Sequence, residues 1–169
     1  MICKMKRINF GVLVLAACIG FAVSPRINLR AQDADGMVLK NSAAAEFHAT
    51  PIMPQCFLGA MQRINPQTGA AVFLVRADAP TGCVVPSHWH TSGEQITVVS
   101  GVVTIKMTNG KSFELKEGGY AYIPAKHVHL FGCSGPCVHF VQSDGPYDIH
   151  YVNKEGKEIN LIEAVKAGQ

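Results

Sequence analysis

Charge is scarce in this chain, and acidic residues are missing from one end altogether. Charged residues are 16% of the 169, against 48% hydrophobic, so one domain with a sizeable core is expected. The formal net charge of +3 misleads. Five of the fifteen basic residues (Lys4, Lys6, Arg7, Arg26, Arg30) precede Ala31, and no acidic residue does. Beyond residue 31 there are 10 basic and 12 acidic residues, a net −2. That removes any composition argument for a nucleic-acid partner, which needs a basic face. Internal repeats, low-complexity tracts and coiled-coil heptads are absent. So are a Ser-His-Asp set, a phosphate loop and a dinucleotide fingerprint. No second cysteine-rich knuckle exists, so a cysteine zinc site is not expected.

Residues 1–31 read as a targeting segment. Lys4, Lys6 and Arg7 form a positive region, and Ile8 to Ser24 is uncharged and mostly apolar. That is shorter than the ~20 residues a spanning helix needs, so an export signal is the expectation. Cleavage after Leu-Arg-Ala31 leaves a soluble exported protein beginning at Gln32. The alternative is Leu15-Ala-Ala-Cys18, which resembles a bacterial lipobox and would anchor a lipoprotein at Cys18. An uncleaved anchor is the third option. Membrane contact is expected only through this segment.

Export makes the cysteines readable. Cys56, Cys83, Cys133 and Cys137 lie beyond the signal, and four cysteines allow three pairings. Cys133-Ser-Gly-Pro-Cys137 reads as a hairpin closed by a disulfide, with buried free thiols as the alternative.

Residues 32–55 carry little periodicity and read as an extended linker. Residues 56–153 read as the folded domain and 154–169 as a tail. Short runs with Gly and Pro between them suggest strands at Phe57 to Ile64, Ala70 to Val75, Val102 to Thr108, Ser112 to Leu115, Tyr120 to Ile123, Val128 to Phe131, Val138 to Gln142 and Tyr147 to Val152. Asn109-Gly110 is a strong hairpin signal. Ile159 to Ala167 suggests a short helix. The pattern is that of an all-β sandwich or barrel.

Two stretches organise the rest. Gly82 to Gly101 reads GCVVPSHWHTSGEQITVVSG. His88 and His90 are two apart, so on a strand both imidazoles share one face. Thr91-Ser-Gly93 lets the chain reverse, and Glu94 opens a β-branched run beside them. Two neutral nitrogens and one anionic oxygen suit a divalent transition metal. The second stretch, Gly118 to His129, reads GGYAYIPAKHVH and brings a third imidazole, His129.

Both stretches resemble the two motifs of the cupin superfamily, small double-sheet jelly-roll barrels. The first matches at every defining position. The second matches at Gly118, Pro124 and His129; it departs at Lys126, usually glycine, and at Cys133, often asparagine. Asp144-Gly-Pro-Tyr-Asp-Ile-His-Tyr-Val-Asn153 resembles the ends of many small bacterial cupins. The resemblance runs roughly from Phe57 to Val152. It implies a jelly-roll barrel and a metal held by His88, His90, Glu94 and His129. The donors are nitrogen and oxygen, so Fe(II), Mn, Zn, Ni or Cu(II) fit and Cu(I) does not.

His127 is expected at the surface or behind His129. His139, Tyr120, Tyr122 and Gln142 are expected to pack, and Trp89, of opposite parity, to point outward. His48 and His150 carry no signal. The expected function is a mononuclear metal cupin acting on a small organic molecule, dioxygenase chemistry foremost. The alternative is a module that binds or senses a metal or small ligand without turnover. A homodimer through the barrel faces is common in the family.

Overall fold

The computed structural model describes residues 37–168, so the expected signal segment lies outside the described residues. A 3-10 turn at Ser42–Ala44 precedes ten strands: β1 (Phe57–Ile64), β2 (Ala71–Ala77), β3 (Cys83–Trp89), β4 (Glu94–Ser100), β5 (Val103–Met107), β6 (Ser112–Leu115), β7 (Tyr120–Ile123), β8 (His129–Cys133), β9 (Cys137–Ser143) and β10 (His150–Tyr151). Helix α1 (Leu161–Ala167) ends the described chain. The strands form two five-stranded sheets, β1-β2-β9-β4-β7 and β10-β3-β8-β5-β6, antiparallel throughout. The sheets face each other as a jelly-roll barrel. Among the described residues no helix is long and apolar enough to cross a membrane.

Strand parity builds the interior. In β9, Cys137, His139, Val141 and Ser143 are buried and the residues between them half-buried. In β4, Glu94, Ile96 and Val98 point inward on the same rule. The registers stack these positions in layers. His88 lies opposite His129, Val85 opposite Phe131 and Cys83 opposite Cys133. In the other sheet Glu94 lies opposite Ser143, Ile96 opposite Val141 and Val98 opposite His139. One level is polar, the next is mostly apolar, and the last carries the cysteines.

The expected disulfide between Cys133 and Cys137 is present, and a second joins Cys56 to Cys83. The hairpin expected around the first is not. β8 and β9 belong to different sheets, so Ser134-Gly-Pro136 carries the chain across the sandwich. Gly82 and Gly101, which bracket the first motif, explain themselves here. Both have φ near +80° (84° and 82°), and a Cβ on either would collide with the backbone of that crossover, at Cys133 and Pro136 respectively.

Other boundaries moved modestly. β8 and β9 run on to include Cys133 and Cys137, and the strand expected at Tyr147 to Val152 shrinks to His150–Tyr151. The preceding residues leave the ladder to pack on the interior. Within the expected linker, His48 pairs with Gly59 and Phe47 lies under the Arg76 guanidinium at 4.4 Å. Helix α1 starts on an Asn160–Glu163 capping box and buries Ala164.

His139 is a polar ring packed against aromatic side chains. It stands edge-on to Phe57 at 6.3 Å and lies 4.8 Å from Phe131, and it is 1% exposed. Burial pushes its pKa down to about 4 from 6.5. The unfolded ring therefore takes a proton below pH 6.5 that the folded ring refuses until about pH 4. Stability is lost as pH falls through that window. His139→Leu should flatten the fall by about 1.4 kcal/mol per pH unit, read from urea midpoints of the metal-free protein between pH 4 and 6.5. Peptide mapping without reduction should return Cys56–Cys83 and Cys133–Cys137. By loop-closure entropy, serine pairs should cost about 3.6 kcal/mol at the 27-residue separation and about 2 at the 4-residue one.

Candidate metal centre

The structure brings the four sequence-predicted residues together. His88 is in β3, His90 follows its last residue, Glu94 opens β4 and His129 opens β8. None is more than 5% exposed. β3 and β4 lie in different sheets, so Thr91-Ser-Gly93 swings Glu94 across to face the histidines. Ring centroids of His88 lie 4.8 Å from His90 and 4.3 Å from His129. The ligand atoms of all three rings fall within 4.8 Å of one another.

Each ring is anchored through its Nδ1. His88 donates to the Pro86 carbonyl at 2.7 Å, His129 to the His127 carbonyl at 3.0 Å and His90 to the Asp148 carbonyl. A carbonyl can only accept, so each Nδ1 carries its proton. In the neutral ring the lone pair is then on Nε2. His90 Nε2 lies 3.3 Å and His129 Nε2 3.4 Å from Glu94 Oε2. Both nitrogens are buried and make no hydrogen bond.

Charge decides what this cluster wants. Burial opposes ionisation of Glu94, but His129 and His90 outweigh it and hold the carboxyl far below the usual carboxylate range. Burial, then the neighbouring His129 and His90, push His88 down to about 3. Burial also opposes charge on His90, but Glu94 outweighs it and raises that pKa. A proton on His90 would satisfy that ring and one carboxylate oxygen. It would leave the lone pair of His129 facing an anion. A divalent cation satisfies all of them at once, and the three imidazoles and one carboxylate fit such an ion.

The surroundings hold the rings in place. Tyr147 stacks on His90 at 5.3 Å and touches Phe73 at 5.2 Å. Burial, then Glu94, push its phenol well above 10, so it keeps its proton beside that carboxylate. The Asp148 carboxylate accepts from the Thr91 N–H at 2.8 Å and lies 3.2 Å from His150 Nε2. His150 stacks flat on Trp89 at 3.9 Å, so Trp89 does point outward. Lys126 donates its backbone N–H to His90 O at 2.8 Å with φ of 60°. That left-handed conformation is why glycine is usual there; a lysine pays roughly 1–2 kcal/mol to adopt it. His127 is exposed and contributes only its carbonyl. Tyr120 and Tyr122 face solvent, and His139 borders the same small cavity as His88, Glu94, Phe131 and Tyr147, of about 20 Å³.

Sequence reasoning missed Tyr147 and Asp148. Both lie in the terminal segment that marked the family resemblance, but no spacing relates residue 147 or 148 to residue 90. A larger cavity of about 410 Å³ opens between β5, β6 and β7, with Ile105, Met107, Phe113, Ile123, Lys111 and His127 among its walls. Met107 pairs with His129 and Ile123 with Glu94, so the cavity adjoins the strands that carry these two residues, one in each sheet.

The model of the Cupin domain family matches residues 75–141, which include both motifs. A DNA damage-repair/toleration protein of Arabidopsis thaliana, DRT102, is 29% identical over 105 residues, 62% of this chain and 32% of that protein. The chain therefore spans about a third of the length of the curated relative it matches. Among solved structures, an RmlC-like cupin from Ralstonia eutropha superposes with a TM-score of 0.56 at 16% identity, covering 75% of this chain and 80% of that one. The polyketide cyclase RemF from Streptomyces resistomycificus gives 0.57 at 16%, covering 69% and 86%. An acetylacetone dioxygenase from Acinetobacter johnsonii gives 0.54 at 13%, covering 78% and 89%. At these identities the superpositions speak for the fold alone. The family match itself makes residues 75–141 a cupin domain, and that domain carries a histidine-rich site suited to a metal ion.

Proposed function

We propose that the protein is an exported mononuclear metal enzyme of the dioxygenase type, acting on a small organic molecule with oxygen donors. The observation that carries this reading is the pair of buried, unpartnered Nε2 atoms of His90 and His129 facing the Glu94 anion. His88, His90, Glu94 and His129 would hold one divalent ion. Such an ion, when bound, supplies Lewis acidity and, for iron or manganese, a redox couple. The chain's own residues do the rest. The carbonyls of Pro86, Asp148 and His127 aim the three rings. Tyr147 keeps a proton on its hydroxyl oxygen beside Glu94, and the packed barrel keeps out bulk water. The cavity of about 410 Å³ suits the body of a small molecule, with Lys111 and His127 at hand for an acidic or enolic oxygen. The acetylacetone dioxygenase with this fold makes β-diketones sensible first substrates.

A second reading is a module that binds metal or ligand without turnover. The cavity of about 20 Å³ bordering His88 and Glu94 favours it, since that admits about one water. Oxygen uptake by Fe(II)-loaded protein with diketones and phenolics separates the two. Consumption coupled to substrate loss supports the enzyme; tight substrate binding without uptake supports the module.

Export rests on residues 1–31 and is supported by two disulfides in the barrel. The mass of protein recovered from its own compartment should begin at Gln32. A lipidated start at Cys18, or an intact Met1, would overturn the soluble exported form.

Metal analysis should find one divalent ion per chain. Glu94→Gln keeps the volume but removes the anion and should weaken binding more than ~10-fold, the lower bound for losing even a supporting partner. Trp89→Phe should leave metal content unchanged. Binding displaces a proton from His90, whose pKa lies above 6.5, so affinity should begin to fall above pH 6.5 as the solution is acidified. Full affinity in Glu94→Gln would remove Glu94 from the ligand set.

A further inference from the structure

Four residues along β8 from His129 lies a second group of metal-ligating side chains. Cys133 ends β8, Cys137 opens β9, and His139 follows on the same inward face. The two sulfurs and a ring nitrogen of His139 lie within 4.8 Å of one another. None of the three residues is more than 4% exposed. The sulfurs are joined as a disulfide. His139 Nδ1 faces Cys137 Sγ at 3.7 Å and makes no other hydrogen bond among the described residues. Sulfur is a weak acceptor, so this buried imidazole is poorly partnered. Burial also keeps it neutral, which leaves a lone pair to give.

We propose that Cys133, Cys137 and His139 form a second, reduction-dependent site that holds a divalent ion of the zinc class. A dithiol reductant opens the bond. The protein disulfide gains two electrons and two protons and becomes two thiols, while the dithiol is oxidised to its own disulfide. Each thiol then releases its proton as it binds Zn²⁺, and zinc keeps its oxidation state. Two thiolates and one neutral imidazole supply three of the four ligands of Zn²⁺, with a water as the fourth, and the set sums to zero charge, which suits a buried position. The 6.0 Å Cα separation lets the sulfurs part to the ~3.8 Å expected across a tetrahedral zinc with Zn–S of ~2.3 Å. The spacing Cys-x₃-Cys is within that of zinc knuckles. The sequence argued against such a site because it lacks a second knuckle. The fold supplies the third donor through the parity of β9.

Co²⁺ is the spectroscopic stand-in for zinc. The oxidised full chain should bind one equivalent, at the imidazole–carboxylate centre, with no sulfur-to-cobalt charge transfer. After reduction by a phosphine and its removal under nitrogen, a second equivalent should bind with a near-ultraviolet charge-transfer band, displaced by Zn²⁺. Cys137→Ser and His139→Leu should each lose the second equivalent and keep the first. If the first centre takes no metal, the expected counts become none oxidised and one reduced, so the two assignments fail separately. Circular dichroism follows the fold throughout. A reduced, folded protein without the band overturns the proposal. So does a band that survives in Cys137→Ser, or loss of the fold on reduction.

Discussion

A carboxylate sealed inside a barrel beside imidazole lone pairs is the constraint on which the rest of this structure turns. Glu94 is 5% exposed and ionised, with His90 and His129 nitrogens at 3.3 and 3.4 Å. Burying an uncompensated anion costs several kcal/mol. Rotating the rings to offer N–H donors would ease it, but each ring is already committed through Nδ1 to a backbone carbonyl. A proton on His90 offsets this in part, but the His129 lone pair still faces the anion unless a cation binds. Sites that favour a bound ion are built this way, with outer partners fixing the tautomer of each ligand.

Those outer partners come from three separated parts of the chain: Pro86 in β3, Asp148 before β10 and His127 before β8. That distribution explains local features that look costly in isolation. Lys126 accepts a left-handed backbone because its N–H meets His90 O. The residues before β10 give up strand pairing so that Tyr147 stacks on His90 and Asp148 reaches both His90 and Thr91.

The four central residues were legible because strand parity and turn chemistry are local rules. His88 and His90 are two apart, Glu94 follows a tight reversal, and Gly118, Pro124 and His129 repeat a known spacing. Most strands were legible for the same reason, β1, β6 and β7 to the residue. The crossover at Ser134-Gly-Pro136 was not. A short turn between two strands reads as a hairpin whether its arms pair or lie in opposite sheets, since sheet membership is set by remote partners such as Val75 opposite His139. Tyr147, Asp148 and the Trp89–His150 stack were hidden likewise, because each contact joins residues about sixty apart. Cys56 and Cys83 are 27 residues apart, and no local pattern encodes their pairing.

That register also links the two ends of the barrel. β3 and β8 carry His88 and His129, and the same two strands carry Cys83 and Cys133 at their far ends. Both far ends are tied, one to Cys56 and the other to Cys137. Ligand geometry has to hold within about half an ångström, and rigid strands achieve that better than loops. The bulge between Val85 and His88 leaves the near end of β3 irregular, so the cross-links bear on the strand where its ladder is regular. Between the ends sit Phe57, Phe131 and the neutral ring of His139, an apolar layer that separates ionised Glu94 from the sulfurs. Opening the Cys133–Cys137 link frees one end of β8, and His129 opens that same strand at the other. The redox state of the sulfurs and the placement of the His129 imidazole thus share one five-residue strand.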